Sequence, residues 1–409
     1  VGRQGARRSD AMKIVMIGPF GLRPRGTMSV RALPLAEALA ARGHAVTLLL
    51  PPWQNPEDAG RVWEERGVHL ENLPLPRGLP GWFQLRLTQQ LAQRTRELRP
   101  DVVHAFKPKA YAGLAHLALR RRFPVVVDTD DWEGPGGWNE LASYSPPLKR
   151  FFAWQERWGL RHAAAVTVAS RALETLVWAQ GVPPARVTYL PNGVVETAPR
   201  APGNPGARPT LLLYTRFFEF DLHRLWDVLR RVREARPATR VLVVGKGLFG
   251  EEVALLQLAR DAGWQVAEGE TAPPHADLIY AGWVAPERLP ELFAQAHVAL
   301  YPFDDTLINR TKCPVKLLDL LAAGVPVVGE AVGQLQEFIQ PGQTGILVPP
   351  GATEAFVQAL LALLADPAQA QALGARAAEA VRAHFSWTEL AARAEATYEL
   401  ARAGSTTSR

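Results

Sequence analysis

The sequence has one cysteine, Cys313, in 409 residues. A lone thiol excludes a disulfide framework and any multi-cysteine zinc site, and it suits a reducing compartment. No apolar run reaches the roughly 18 residues that a membrane-spanning helix needs. Residues 1–11 are polar and arginine-rich, unlike a secretory signal. They read as a disordered tail, with Met12 a candidate natural start. Lysine is scarce, 7 residues against 39 arginines. Net charge is also low. Of the formal +6, the tail carries +2 through Arg3, Arg7 and Arg8 against Asp10. So mild an excess does not require a nucleic-acid partner, and local clusters matter more than the total.

What is present is an ordinary globular composition, 47% apolar and 21% charged, in a length that fits about two to three domains. Residues 13–18 form a short apolar strand that runs into a Gly/Pro loop. A helix over 27–41 follows, with Val30, Leu33, Ala36 and Leu39 at helical spacing. A strand at 46–50 completes the first βαβ unit of a doubly wound parallel sheet. Further strands are predicted at 68–70, 102–104, 125–128, 165–168 and 187–190. Helices over 82–98, 110–121, 146–162 and 170–180 separate them.

Residues 196–209 are Pro/Gly-rich and break this rhythm, as an interdomain linker does. A second series has strands at 211–214, 241–244, 278–280, 298–301 and 327–328. Its helices fall over 221–235, 250–262, 314–323, 353–365 and 367–384, and a last helix over 388–402. The fold class is therefore α/β: two Rossmann-like doubly wound parallel-sheet domains facing across a cleft. They span residues 12–195 and 196–385, and a final helix, about 386–403, crosses back to the first. Ligands of such sheets bind beyond the carboxyl ends of the strands, so the chemistry is sought in those loops.

The loop after the first strand holds Gly18, Gly21 and Gly26, then Thr27 at a helix start. Exposed N–H groups at a helix N-terminus suit an anion. The spacing in this loop is not G-x-G-x-x-G, so no dinucleotide fingerprint is read there; a plain turn is the other reading. Asn192-Gly193 and Gly245-Lys246-Gly247 end strands in the same way. The richest segment is 301–350. Pro314 opens a helix there, and Asp319 sits among Leu317, Leu318, Leu320 and Leu321. A carboxylate amid leucines is costly unless it faces water or a ligand. Sugar hydroxyls are natural partners.

Residues 318–328, Leu-Asp-Leu-Leu-Ala-Ala-Gly-Val-Pro-Val-Val, lead to Gly333, Glu337 and Thr344-Gly345-Ile346-Leu347-Val348. This stretch resembles the donor-site signature of retaining glycosyltransferase family 4, whose fold is GT-B. Residues 35–39 with 42–47, 101–105, 166–170, 190–194 and 385–387 match as well, so the resemblance spans about residues 12–400. It implies transfer of a sugar from a nucleoside diphosphate sugar to a hydroxyl acceptor. It also implies front-face attack without a protein nucleophile.

The resemblance assigns roles. Asp319 falls where the family binds the nucleotide ribose, and Thr311 stands in place of the acid that binds the sugar. Arg216 matches the diphosphate-binding arginine, but the lysine expected five residues later is Asp221. Lys316 is the favoured substitute, ahead of Lys312, Lys246 and Arg224. Gly26 and Thr27 line up with a Gly-Gly pair over the diphosphate. His104 and Asp130 fall at strand-end positions of the family. Their other readings are a hydrogen-bonded core histidine and a helix cap. Arg216, Lys316, His104 and Asp130 form the expected catalytic set. Asn192, Gly193, Gly245, Lys246 and Trp283, with Gly333, Gln334 and Leu335, complete the expected donor contacts.

No metal or other cofactor is expected. Asp128-Thr129-Asp130 spells D-x-D, whose oxygens would suit Mg²⁺ or Mn²⁺. It lies in the first half, near Trp132 and Trp138, and reads instead as an acceptor-facing loop. Helix 147–162 interleaves Lys149, Arg150, Arg157 and Arg161 with Phe151, Phe152, Trp154 and Trp158. Residues 82–96 add Trp82, Phe83 and Arg86. Such a pattern suits an interfacial helix on anionic lipid; a helix burying its aromatics is the other reading. No RNA motif accompanies it, so no nucleic-acid partner is expected.

The expectation is a cytoplasmic enzyme, peripheral on the inner membrane face, with a glycan or lipid-linked acceptor. A non-catalytic nucleotide-sugar sensor or partner subunit is the alternative, because the first acid and the lysine are missing. A sugar-nucleotide epimerase is a third, but its expected carboxylate and histidine pattern is not evident.

Overall fold

Short runs of Val, Ile and Leu bounded by Gly, Pro and polar turns become the strands of two separate sheets. The computed structural model describes residues 11–24, 26–78, 80–196, 208–270, 273 and 275–406. The predicted tail and most of the predicted linker lie outside the described residues. The chain divides into one unit of Val1–Asn192 with Trp387–Arg409 and a second of Gly193–Ser386.

The first sheet contains β1 (Lys13–Ile17), β2 (Ala45–Leu50), β3 (Val62–Glu65) and β4 (Val68–Asn72). It continues with β5 (Val102–Phe106), β6 (Val125–Thr129), β7 (Ala165–Val168) and β8 (Val187–Tyr189). Their order is β3-β4-β2-β1-β5-β6-β7-β8, and every pairing is parallel except β3 with β4. The second sheet contains β9 (Thr210–Tyr214), β10 (Arg240–Val244), β11 (Val266–Glu268) and β12 (Leu278–Gly282). Then come β13 (Val298–Tyr301), β14 (Val327–Glu330) and β15 (Ile346–Val348). The order β11-β12-β10-β9-β13-β14-β15 is parallel throughout.

Central strands such as β5, β6 and β9 are buried along their whole length, as expected of parallel sheets covered on both faces. In each sheet the strand order reverses beside its first strand, between β1 and β5 and between β9 and β13. Ligands of doubly wound sheets bind at the carboxyl ends around such a switch point.

The last helix, Trp387–Thr406, belongs to the first unit. Trp387, Leu390, Ala394 and Tyr398 join the core formed by Met16, Leu35 and Phe106. Glu395 accepts the Arg42 Nε–H at 2.7 Å and lies 3.4 Å from His44 Nε2. Among the described residues, no helix is long and apolar enough to cross a membrane.

Several details differ from the sequence expectation, among them the short strands β11 and β15, which it did not include. The helix expected over 27–41 is a π-turn, Met28–Ala32, followed by an α-helix, Leu33–Ala41. Pro34 at its start has no N–H to continue the ladder. The edge strand β3 went unpredicted because Val-Trp-Glu-Glu carries almost no apolar alternation. The segment before Pro314, where no helix is expected, contains a helical turn, Leu307–Thr311, capped by Thr306, whose hydroxyl accepts the Asn309 N–H at 3.2 Å.

Candidate functional site

At the carboxyl end of β9 the chain turns sharply through Thr215, Arg216 and Phe217. Phe217 has φ +69°, uncommon for a residue with a side chain. The Thr215 hydroxyl accepts the Phe217 N–H at 2.8 Å and fixes the turn. Arg216 is left exposed, with its guanidinium 5.8 Å from the Phe218 ring centroid.

Helix Val315–Ala322 buries Leu317, Leu318, Leu320 and Leu321, and this leaves Lys316 and Asp319 half-buried on its other side. The Lys316 Nζ lies 3.5 Å from the Tyr214 ring centroid, within the range of a cation–π attraction. The Tyr214 hydroxyl donates to Asp319 Oδ2 at 3.4 Å. A cation, a phenol and a carboxylate thus share one patch beside Arg216. Tyr214 was missed from sequence; its cue is an aromatic residue closing the strand just before Arg216.

Other expected donor residues take different roles. Lys312 pairs with buried Glu219 and lies 4.3 Å from the Phe218 ring centroid. Arg224 forks onto buried Glu330 at 2.7 and 2.9 Å, so its charge is already met. Asp221, where the family has lysine, caps helix Leu222–Ala235 by accepting the Arg224 N–H at 2.8 Å. Thr311 is buried, and its hydroxyl lies 2.9 and 3.1 Å from the carbonyls of Leu307 and Ile308. That is a helical threonine bonded back to its own turn, not an open sugar contact. Gln334 and Leu335 are fully buried.

A Cβ at Gly333 would stand 2.8 Å from the Arg310 carbonyl, and one at Gly245 would stand 2.0 Å from that of Thr215. Both glycines let backbone approach backbone, and the Gly245 N–H is donated to Gly282 O at 2.7 Å. Gly193 opens the second unit. Lys246 and Trp283 are exposed just beyond β10 and β12, the strand ends where ligands of such sheets bind.

Residues 245–250 spell G-x-G-x-x-G between β10 and helix Glu251–Asp261, a pattern the sequence reading overlooked. Three of its N–H groups, those of Gly245, Gly247 and Phe249, already have acceptors within the chain. Gly247 donates to Glu252 Oε2 at 3.0 Å and Phe249 to Glu251 Oε2 at 2.8 Å. The chain's own carboxylates fill the role an anion would take.

In the first unit, the Thr27 hydroxyl donates to Asp130 Oδ2 at 2.6 Å, and the Gly26 N–H donates to Ser29 Oγ at 2.9 Å. Asp130 caps no helix; it stands 3.1 Å from the Lys107 ammonium. Burial opposes its charge, but Lys107, Thr27 and Arg31 outweigh burial and hold it below the usual carboxylate range.

Lys107 closes β5 in the left-handed region, φ +52°. It also meets Asp131 at 2.8 Å and Glu133 at 3.4 Å, while Lys109 meets Glu133 and Asn139, both at 2.7 Å. Burial alone would lower the Lys107 pKa; Asp130, Asp131 and Glu133 together hold it well above its ordinary value. Neither lysine was anticipated. Two of only seven lysines bracketing Pro108 just after a strand was the available signal.

His104 requires correction. Strand β5 runs on to Phe106, so His104 lies in its middle and is fully buried. Its Nδ1 is 2.8 Å from Tyr398 Oη and its Nε2 3.2 Å from Thr167 Oγ1. Burial, then the Arg31 charge, pushes its pKa down to about 3. It is a neutral core histidine, not a group facing an acceptor.

Asp128 is equally buried. It accepts a fork from Arg31 at 2.8 and 2.6 Å and the Thr167 hydroxyl at 2.6 Å. Arg31 also reaches Asn192 Oδ1 at 3.3 Å, which ties Asn192 to this core network. Trp132 is buried too, so the D-x-D run is largely internal. Among the described residues, no group of three or more His, Cys, Asp or Glu could hold a metal ion.

Residues 26–193 match the Glycosyl transferase 4-like domain, and residues 208–366 match the Glycosyl transferases group 1. With two doubly wound sheets and this site, the chain belongs to the GT-B glycosyltransferases of those related families, enzymes that move a sugar from an activated donor to an acceptor. It is 27% identical over 404 residues to the phosphatidyl-myo-inositol mannosyltransferase of Mycobacterium leprae, covering 95% of this chain and 96% of that one. It is also 27% identical over 398 residues to the GDP-mannose-dependent alpha-(1-6)-phosphatidylinositol monomannoside mannosyltransferase of Mycobacterium tuberculosis, covering 93% and 96%. The sucrose-phosphate synthase of Thermosynechococcus elongatus shares the fold, with a TM-score of 0.72 at 21% identity over 95% of this chain and 98% of that one.

Proposed function

We propose that this glycosyltransferase is a retaining enzyme that takes its sugar from a nucleoside diphosphate sugar and delivers it to a hydroxyl of a lipid-linked or glycan acceptor. GDP-mannose is the first donor to test, because a relative over nearly the whole chain is named for it. The donor binds the second unit and the acceptor the first. One observation carries the reading: Lys316, Tyr214 and Asp319 meet at the carboxyl end of β9, where Arg216 is exposed.

The diphosphate gains charge as the sugar leaves it. Arg216 and Lys316 are the cations that compensate, so the proposal includes no metal or other cofactor. Asp319 accepts hydrogen bonds from the ribose hydroxyls. The bond from the anomeric carbon to the phosphate oxygen breaks as the acceptor oxygen attacks from the same face. The acceptor proton passes to the departing phosphate, and no protein nucleophile takes part. The chain contributes position and charge.

The same proposal places the enzyme in the cytoplasm, peripheral on an anionic membrane face. Leu148, Phe151 and Trp154 are exposed on helix Pro146–His162, as is Trp82 on helix Pro80–Leu98. Arg150, Arg157 and Arg161 are exposed on that first helix, a composition suited to an interfacial helix.

Transfer from labelled GDP-mannose, UDP-glucose and ADP-glucose to phosphatidylinositol and to oligosaccharides tests the reading. The expected result is transfer with retained anomeric configuration, undiminished by EDTA and about a hundredfold slower in Arg216→Ala. Failure to bind or use any of these donors, or unchanged turnover in the variant, overturns it.

A further inference from the structure

Arginines gather at the N-terminal edge of the second sheet, the opposite end of its strands from Arg216. Arg208 precedes β9, Arg240 opens β10, and Arg233 and Arg236 stand at the carboxyl end of helix Leu222–Ala235. The carboxylate that meets them is Asp277, just before β12. Its Oδ1 takes Arg208 at 2.7 Å and Arg233 at 2.8 Å, and its Oδ2 accepts the Gln265 N–H at 2.9 Å. Asp277 is therefore engaged by two of the four guanidiniums.

The other two lack a counter-charge. Arg240 is half-buried, and its Nε and Nη2 reach the neutral Thr210 hydroxyl at 3.2 and 3.1 Å. Neither Arg236 nor Arg240 forms an ion pair among the described residues. The Arg236 Nη1 is buried and has no acceptor among them. Glu234, next to Arg233 in the chain, is turned to Arg230. The neighbouring stretches outside the described residues, 197–207, 271–272 and 274, contain no Asp or Glu to supply the charge. The missing charge registers on two titratable groups. Burial and then the Arg208 charge lower the Arg240 pKa; burial and then the Arg240 charge lower that of His297, just before β13.

A half-buried guanidinium without an anion is costly. The cluster is also largely preformed. Arg208 is fixed by the carbonyls of Ala238 and Ala276, both at 2.8 Å, and Arg233 by the Trp264 ring, whose centroid is 4.3 Å from its guanidinium. The guanidiniums arrive from two strand starts and one helix end. A planar carboxylate suits a single fork, whereas a tetrahedral phosphate presents oxygens in several directions and carries nearly two charges. We infer that this edge is a binding site for a phosphate group, as the free ion or as a compact phosphomonoester, with Arg240 and Arg236 as its ligands and Arg208 beside them. The site lies at the other end of β9 from the donor patch, and the inference does not depend on the transfer reading.

Calorimetric titration of the full chain at constant ionic strength tests it, with inorganic phosphate, glycerol 3-phosphate and malonate as probes. Saturable binding of either phosphate species supports the site, and the tighter of the two tells a free ion from an ester. Arg240→Gln and Arg236→Gln are each expected to weaken that binding about tenfold. Arg216→Ala is expected to leave it unchanged, which separates this site from the donor diphosphate position. Arg236 lies just past its helix, so its variant keeps the assay meaningful if Arg240→Gln, at a strand start, does not fold. The inference is overturned by an absence of saturable phosphate binding, by malonate bound as tightly as phosphate, by unchanged binding in the glutamine variants, or by binding lost in Arg216→Ala.

Discussion

The Lys316 ammonium lies 3.5 Å from the centroid of the Tyr214 ring. This contact ties the last residue of β9 to the helix that carries Asp319, and it puts a cation beside the expected diphosphate position. Asp221 leaves that position without the family's lysine. Lys316→Met is expected to lower kcat/KM for the donor about a hundredfold. Lys316→Arg is expected to recover part of it, because the charge returns but not the compact geometry of an ammonium. Steady-state kinetics across donor concentrations check this. Equal activity in Lys316→Met and wild type removes Lys316 from the mechanism.

Asp221 supports a different expectation. Its carboxylate accepts the Arg224 N–H at 2.8 Å and so caps helix Leu222–Ala235. Asp221→Ala should cost about 1 kcal/mol of stability and leave the donor KM unchanged. Urea unfolding followed by circular dichroism, with donor kinetics on the same protein, distinguishes a cap from a ligand contact.

The contrast between Asp221 and Lys316 shows what was readable. The alternation of strands and helices was legible because the buried strands are uninterrupted apolar runs. Asp319 stood out as a carboxylate among leucines, and it does sit on the uncovered side of its helix. What joins it to Lys316 is Tyr214, more than 100 positions earlier in the chain, and no local pattern encodes that meeting. Lys312 and Arg224 looked like free cations until the fold brought Glu219 and Glu330 to them. His104 was misread because β5 continues through Ala105 and Phe106, so the histidine is mid-strand. The glycines at 245 and 333 were read for ligand approach, whereas the backbone that approaches them is the chain's own.

Burial of His104 gives a pH dependence with a definite sign. Its pKa falls from 6.5 to about 3 in the folded chain, by burial first and the Arg31 charge second. Between those values the unfolded chain binds a proton that the folded chain does not, so stability falls as pH drops through this window. The slope from one such group is at most about 1.4 kcal/mol per pH unit. His116, lowered to about 4 by burial, acts in the same direction. Glu156 acts oppositely. Burial, then Glu133, raises it well above its ordinary value, so the folded chain keeps a proton the unfolded chain has lost, and stability falls as pH rises. His104→Gln should flatten the slope between pH 6 and 4 by about one proton, and Glu156→Gln should flatten the fall above the carboxylate range. Urea titrations over a pH series measure both, and an unaltered slope in either variant contradicts that assignment.

The membrane expectation can be put to a direct test on one helix. Phe151, Trp154, Trp158 and His162 form a ladder along Pro146–His162, with successive ring centroids 5.8, 6.2 and 4.5 Å apart. Trp154 is 48% exposed and Phe151 37%, whereas Phe152 on the same turn is buried and belongs to the fold. Stacking keeps the exposed rings as one apolar strip, and Arg157 and Arg161 are exposed on the same helix. An apolar strip with cations on its helix predicts binding that needs both terms. Phe151→Ala with Trp154→Ala should weaken binding to phosphatidylglycerol-containing vesicles at least about tenfold, through lost apolar burial. Arg157→Ala with Arg161→Ala should weaken it by a similar factor at low salt, at about 1 kcal/mol per cation near an anionic surface, and the difference should shrink as salt screens the surface. Vesicle sedimentation at two salt concentrations reads both effects. Binding that is equal on neutral and anionic vesicles, or that survives the aromatic double variant, shows that this helix does not carry the enzyme to the membrane.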